Sequence, residues 1–225
     1  MSRTNAELVR EYIDQVINSH QVERIYDYVS EDCIFHNPPY VGLGFRPEEK
    51  PGKKMLITQV AQHGPCFGLI QVGDELVRIR DAHSVGETFE QLKNGLYGRG
   101  RIGEAVTVTV RRNGQLLDFN LVRSRIEGFD STMKDLFASF QKFLREEMPD
   151  FKSEINLILE AGDKVAYFET LSGTSAEFKT SAIWTSCSIA RIENEKIVES
   201  WSVDDSMSNL LQLGYQVKEP VIETV

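Results

Sequence analysis

Arg191-Ile192-Glu193-Asn194-Glu195-Lys196-Ile197-Val198-Glu199-Ser200-Trp201, followed by Asp205 and by Leu210 to Gly214, is the stretch on which the reading of this 225-residue chain turns. Glu193-Asn194-Glu195 is a compact turn between two strand-like runs, Ser181–Ile192 and Lys196–Val203, which suits antiparallel neighbours. Met207 to Leu213 is amphipathic, and Gly214 is placed to stop a helix there. Working backwards, Phe151–Leu159 and Lys164–Leu171 are two further strands meeting at Ala161-Gly162-Asp163. Before them, Met133, Leu136, Phe137, Phe140, Phe143 and Leu144 form one apolar helix face, with Pro149 just past its end. At the start of the chain, Asn5 is the expected cap of a helix carrying Leu8, Val9, Tyr12, Ile13, Val16 and Ile17 at helical spacing. Val22, Ile25, Tyr26 and Val29 mark a shorter helix, and Cys33–His36 a strand stopped by Asn37-Pro38-Pro39. Helices packed on one face of a curved antiparallel sheet make an α+β fold.

The middle of the chain has a different character. Of 16 glycines, 12 lie between Val41 and Ile126, and residues 41–126 carry a net charge of +4 in a chain whose total is −9. A change in both composition and charge sign points to an inserted module. The expected division is residues 1–40 with 127–215 as one discontinuous domain, 41–126 as the insert, and 216–225 as a tail. An apolar fraction of 41% supports folded cores rather than disorder. The acidic balance disfavours nucleic acid, and no apolar run is long enough to span a membrane. The first residues lack the apolar core of a signal peptide. Cys33, Cys66 and Cys187 are scattered and form no CxxC, which suits reduced thiols in a cytoplasmic protein without a structural metal.

Leu8-Val9-Arg10-Glu11-Tyr12, Phe35-His36-Asn37-Pro38, the run from Arg191 to Trp201, Asp205, and Leu210 to Gly214 appear in an order that resembles the SnoaL-like polyketide cyclases of the nuclear-transport-factor-2-like superfamily. The resemblance implies a cone-shaped sheet with a deep pocket between sheet and helices, a small apolar or polyketide-like ligand, no cofactor, and a homodimer. It also implies an intramolecular aldol-type chemistry, in which a buried carboxylate removes an acidic C–H proton and a protonated group serves the carbonyl oxygen. Asp205 stands where the family's acid/base Asp falls, although the same residue reads equally as a helix cap. His36 is the remaining imidazole candidate, as an auxiliary to Asp205 or as a strand-end histidine. Asn37, Tyr167, Trp184 and Trp201 are candidates to line the pocket, or simply turn and core residues. Glu169 and Glu199 are expected to face solvent. Two positions depart from the family pattern: Ser200 stands where His is frequent before the Trp, and Gly173-Thr174-Ser175 where Gly-Thr-His is frequent.

In the insert, Gly42-Leu43-Gly44-Phe45 is followed by Gly68-Leu69-Ile70-Gln71-Val72-Gly73-Asp74-Glu75-Leu76-Val77-Arg78-Ile79, a helix over Glu87–Tyr97, and a hairpin at Asn113-Gly114. This order resembles a PDZ domain, a β-sandwich-like fold that takes a partner's C-terminal peptide as an added strand. The resemblance implies that the amides of Leu43, Gly44 and Phe45 hold the terminal carboxylate. Leu43 and Phe45, with Leu92 or Leu96, would form the pocket for the last side chain. Pro47 cannot donate an N–H to such a strand. The chain's own end, Ile222-Glu223-Thr224-Val225, has the form of a PDZ ligand, so the peptide is expected from a partner protein or from this tail.

Overall fold

The computed structural model describes residues 3–82, 85–93 and 100–216. The chain forms two compact units: an outer one from the residues up to Asn37 together with those from Asp130 onward, and a middle one from Pro38 to Phe129. The outer unit opens with helix α1 (Asn5–Tyr12). Thr4, not Asn5, is its cap: the Thr4 hydroxyl accepts from the Glu7 amide at 3.1 Å, and the Glu7 carboxylate accepts from the Thr4 amide at 2.8 Å. A Thr-x-x-Glu box satisfies two otherwise unpaired amides at once, so it fixes the start of the helix. A π-helical segment, Ile13–Asn18, extends it, and together they bury Leu8, Val9, Ile13, Val16 and Ile17. A short 3-10 turn (Val22–Arg24) and helix α2 (Ile25–Tyr28) lead into strand β1 (Val29–His36).

The middle unit contains β2 (Tyr40–Gly42), β3 (Phe45–Lys50), β4 (Lys54–Val60), β5 (Glu75–Arg80), β6 (Val85–Gly86), helix α3 (Phe89–Lys93), β7 (Ala105–Arg112), β8 (Gln115–Val122) and β9 (Ser124–Ile126). Strands β3-β4-β5-β7-β8 form one sheet in that order, with β6 on β5, and β2 pairs β9 where the chain enters and leaves. Asn113 and Gly114, both at positive φ (51° and 81°), close the β7–β8 hairpin as a two-residue turn of the handedness that matches strand twist. Asp74, 2% exposed, explains the specificity of the Gly-Asp run. Its carboxylate takes Arg112 Nε at 2.7 Å and Nη2 at 2.6 Å, and the Gln71 amide at 2.8 Å. Gly44, at φ +86°, sits so close to Gly64 that a Cβ on it would lie 2.9 Å from the Gly64 Cα.

Back in the outer unit, β10 (Ser131–Thr132) precedes α4 (Met133–Lys142), again capped by a reciprocal pair, Thr132 and Asp135, and extended by a π-helical segment, Phe143–Glu147. Strands β11 (Lys152–Ala161), β12 (Lys164–Thr174), β13 (Ser181–Glu193) and β14 (Lys196–Asp204) and helix α5 (Ser206–Gln212) complete it. The sheet order is β10-β1-β14-β13-β12-β11, antiparallel except where β1 lies parallel to β14. The β13–β14 turn is Asn194-Glu195, both residues at positive φ (49° and 58°). Helices and inner sheet face enclose one core, including Val9, Val16, Ile25, Cys33, Leu144, Val165, Ala190 and Ile197. This is the α+β architecture expected from the sequence.

Candidate functional site

Strand alternation decides which side chains meet on the inner face. On β12 the odd residues face inward: Val165 and Tyr167 are buried, as are Glu169 and Leu171. On β13 the even residues do: Trp184, Ser186, Ser188 and Ala190. Register then lines them up. Glu169 lies opposite Ser186, and Ser186 opposite Asp204; Tyr167 lies opposite Ser188, and Ser188 opposite Ser202. These residues, with Tyr12, Ile13 and Ile17 from the first helical segment and Phe151, Ser153 and Leu171, line a cavity of about 180 Å³. Apolar rings and aliphatic chains line it together with two carboxyls, Glu169 and Asp204, and the hydroxyls of Ser153, Ser186, Ser188 and Ser202.

Glu169 is the residue whose burial the sequence reading did not anticipate: it is 6% exposed rather than solvent-facing. Burial raises its pKa above the usual carboxylate range. The hydroxyl of Ser153 donates to its Oε2, Ser188 Oγ lies 3.5 Å from Oε1, and Ser186 also supports the charged form, but these do not outweigh desolvation. The negative charge of Asp204 adds to the upward push. Tyr12 and Tyr167 are driven well above the ordinary phenol range, both first by burial, Tyr12 then by Tyr167 and Glu169 and Tyr167 then by Glu169, so both remain protonated donors. Cys33, buried nearby, has its thiol pushed up to about 12 by burial. A signal for this arrangement is present in the sequence: Val165-x-Tyr167-x-Glu169-x-Leu171 puts Glu169 on the same strand face as three apolar residues.

The residues singled out from sequence fall in different places. Asp205 is exposed and caps α5, its carboxylate accepting from the Ser208 amide at 3.0 Å. It does not line the cavity; Asp204 does. His36 pairs in register with Trp201 and stacks on it, ring centroids 4.6 Å apart. Since Ser202 and Asp204 face inward, Trp201 and with it His36 lie on the opposite, outer face. There His36 Nδ1 meets Asp130 Oδ1 at 3.1 Å, and Nε2 is 3.9 Å from Glu199, which accepts from Arg191 Nε at 2.6 Å. The structure therefore does not bring His36 to Asp205 or to the cavity. Tyr167 lines the cavity, Trp184 is core against Phe151 at 5.9 Å, and Asn37 is exposed beyond β1. A larger cleft of about 350 Å³, lined by Asp150, Gly173, Thr174, Ala182 and Gln212 among others, lies elsewhere on this unit. Its carboxylate, Asp150, is already committed to the Thr174 amide and hydroxyl, each at 2.7 Å.

In the middle unit, Leu43, Phe45 and Leu92 are 2%, 4% and 3% exposed and belong to its core. Leu96 and the tail residues 217–225 lie outside the described residues. Strand β3 is an edge strand among the described residues. The carbonyl of Gly44 accepts from the Ala61 amide at 2.7 Å and that of Arg46 from the Thr58 hydroxyl at 3.1 Å, both on the β4 side. Alternation turns the backbone nitrogen of residue 47 to the other, outer edge, where proline offers no hydrogen. Among the described residues no group of His, Cys, Asp and Glu is placed to hold a metal ion, and no helix is long and apolar enough to cross a membrane.

Residues 124–213 match the family model described as SnoaL-like polyketide cyclase, and residues 39–122 match the one described as PDZ domain. The two matches place a SnoaL-like polyketide cyclase domain over residues 124–213 and a PDZ domain over residues 39–122. No curated protein matches it. Among solved structures it is similar to IdmH from Streptomyces antibioticus, at 14% identity over 94% of this chain and 100% of that one, with a TM-score of 0.45. It is similar to a SnoaL-like polyketide cyclase from Agrobacterium tumefaciens, at 18% identity over 35% of this chain and 69% of that one, TM-score 0.31. A third is a protein with a ketosteroid isomerase-like fold from Catenulispora acidiphila, at 18% identity over 40% and 68%, TM-score 0.36.

Proposed function

We propose that the outer unit binds a small, largely apolar carbonyl compound in the cavity of Tyr12, Tyr167, Glu169 and Asp204 and moves a proton on it without a cofactor, as a cyclase- or isomerase-type enzyme. The observation that carries this is the parity of β14. Ser202 and Asp204 face the cavity, so Asp204, one residue before the position read from sequence, is the carboxylate available as acid/base, while Asp205 holds the helix. The test is solvent exchange: the full chain is incubated with small ketones in deuterium oxide, and loss of the α-proton signals is followed by NMR. Exchange above the buffer rate, lost in Asp204→Asn and kept in Asp205→Asn, is expected. The opposite pattern returns the role to Asp205, and no exchange leaves a binding protein or adaptor rather than an enzyme.

The middle unit is proposed to dock a C-terminal peptide, from a partner protein or from this chain's own tail, through its last one or two residues, because Pro47 removes a donor from the edge that a longer strand addition needs. The outer sheet face exposes Leu157, Phe168, Ile183, Ile189 and Val203, which supports a homodimer formed on that face. Sedimentation of the full chain with Phe168→Glu tests it: the variant is expected to be monomeric where the parent is dimeric.

A further inference from the structure

We infer that Glu169 is the hydrogen-bond donor that receives a ligand's carbonyl oxygen, and that the ligand is a single-ring carbonyl compound. This deepens the small-molecule reading above and rests on the cavity, but not on the role given there to Asp204.

Glu169 is 6% exposed yet lines an open space, so a polar group brought to it takes the place of water. Its two oxygens are held differently. Oε2 accepts from the Ser153 hydroxyl, while Oε1 has Ser188 at 3.5 Å, too long for a full hydrogen bond. With Oε2 serving as acceptor, the acid proton belongs on Oε1. Burial favours the protonated form. A carboxylic acid held neutral in this way donates to a carbonyl oxygen, whereas a carboxylate would repel it.

The geometry also leaves room for the rest of the reaction. Glu169 and Asp204 flank Ser186 from the two neighbouring strands, so their backbones are about 10 Å apart. That gap is of the order of the span of an H–C–C=O unit with its two hydrogen-bond contacts, roughly 8 Å. On enolisation the α C–H bond breaks and its proton passes to Asp204, the C–C bond becomes double, the carbonyl π pair moves to oxygen, and the Glu169 proton joins that oxygen. The negative charge passes from Asp204 to Glu169, and reversal returns both protons. No oxidant or reductant is involved.

Size sets the ligand class. A cavity of about 180 Å³ is little larger than the ~150 Å³ voids that accept benzene, so its volume matches a substituted single ring better than three fused rings.

The experiment titrates acetophenone carrying 13C at its carbonyl into the full chain, with 2-acetylanthracene as the larger comparison. In the parent the bound carbonyl resonance is expected to move downfield. In Glu169→Met, whose side chain has no N–H or O–H to donate, that displacement should fall and binding should weaken about tenfold, the loss of one good hydrogen bond, and the three-ring ketone should not bind. A bound carbonyl resonance unchanged by Glu169→Met overturns the donor role. Failure of acetophenone to bind, or tighter binding of the three-ring ketone, overturns the ligand class. A second measurement needs no variant: in the parent the displacement must decline as rising pH ionises the acid, Tyr12, Tyr167 and Asp204 being the titratable groups that face it. A displacement that stays constant up to the pH at which the chain unfolds overturns the donor role too. A Glu169-dependent displacement without α-proton exchange sinks the proton-transfer reading and leaves Glu169 standing. Exchange that depends on Asp204 with no Glu169-dependent displacement does the reverse.

Discussion

Glu169 and Asp204 stand on either side of Ser186 on the inner face of one sheet, the glutamate on β12 and the aspartate on β14. Glu169 is buried on the cavity wall, whereas Asp204 is exposed to solvent at the end of its strand. The two carboxyls thus share a cavity but not a dielectric environment, and burial raises the pKa of Glu169. The cavity therefore carries this asymmetry in its strand register alone, without a histidine.

Replacing Glu169 by Gln should make the fold more stable at neutral and alkaline pH. The folded state raises the pKa of this carboxyl, burial being the main cause. Its contribution is therefore full below the unfolded carboxyl value of about 4.3 and is lost as pH rises through the folded value. Glutamine keeps the shape and removes that loss. Urea unfolding of parent and variant at about pH 4 and pH 8 should show a gap in favour of Gln that opens with pH. A gap independent of pH contradicts the burial argument.

Asp205→Ala should cost about 1 kcal/mol through loss of the α5 cap, while Asp205→Asn should cost only a few tenths, since Asn caps as well as Asp. Thermal melts of the two variants read this directly. If Ala and Asn are equally destabilising, the carboxylate charge rather than the cap is the contribution, and Asp205 needs another account.

The strands and the main helices were legible because their signals are local: apolar alternation in Lys164–Thr174 and Ser181–Glu193, turn residues at Gly162 and Asn194, and apolar spacing in Asn5–Asn18. The order of motifs carried the two families. The site was less legible, since it depends on which of two adjacent aspartates faces inward, and that is fixed by the last inward residue of β14, where the strand ends at Asp204. Family position selected Asp205. His36 was misplaced for a similar reason: its strand runs parallel to β14, so its face is set by pairing with Trp201, far away in sequence. Glu169 was hidden by its charge, although the buried neighbours on its own strand face, Val165, Tyr167 and Leu171, gave its position away.

Arg112→Ala should destabilise the middle unit by about 2–3 kcal/mol at neutral pH, because it leaves the buried Asp74 carboxylate without its two strongest partners. Burial opposes the Asp74 charge, but Arg112 and the Gln71 amide outweigh it, and its pKa is lowered. Stability from this pair is therefore present above the unfolded Asp value of about 3.9 and is lost as pH falls through the folded one. The difference between parent and variant should shrink on acidification, measured by urea unfolding followed through amide signals of the middle unit. A constant difference would mean that Arg112 acts through packing against Phe119, whose ring centroid lies 6.0 Å from the guanidinium carbon, rather than through charge.

Pro47→Ala should strengthen peptide docking on the middle unit about fivefold, since it restores one N–H on the outer edge of β3, the net gain of a single hydrogen bond. The alternation that aims residue 47 outward rests on the carbonyls of Gly44 and Arg46 being engaged from the β4 side. The variant should also lose a fraction of a kcal/mol of stability, because proline restricts the unfolded chain. Fluorescence anisotropy with a labelled peptide ending in Ile-Glu-Thr-Val, the sequence of residues 222–225, measures the first effect. A C-terminally amidated version of that peptide serves as the control, because it lacks the carboxylate that the Leu43–Phe45 amides are proposed to hold. Repeating the titration on a chain lacking Glu223–Val225 separates two ligand sources. If the tail occupies the groove, its deletion should tighten binding of the added peptide and move amide signals of the middle unit. If neither changes, the groove is left to a partner's terminus. Equal binding of the acid and amide peptides would remove carboxylate recognition altogether, and a Pro47→Ala variant with unchanged affinity would place the peptide somewhere other than the β3 edge.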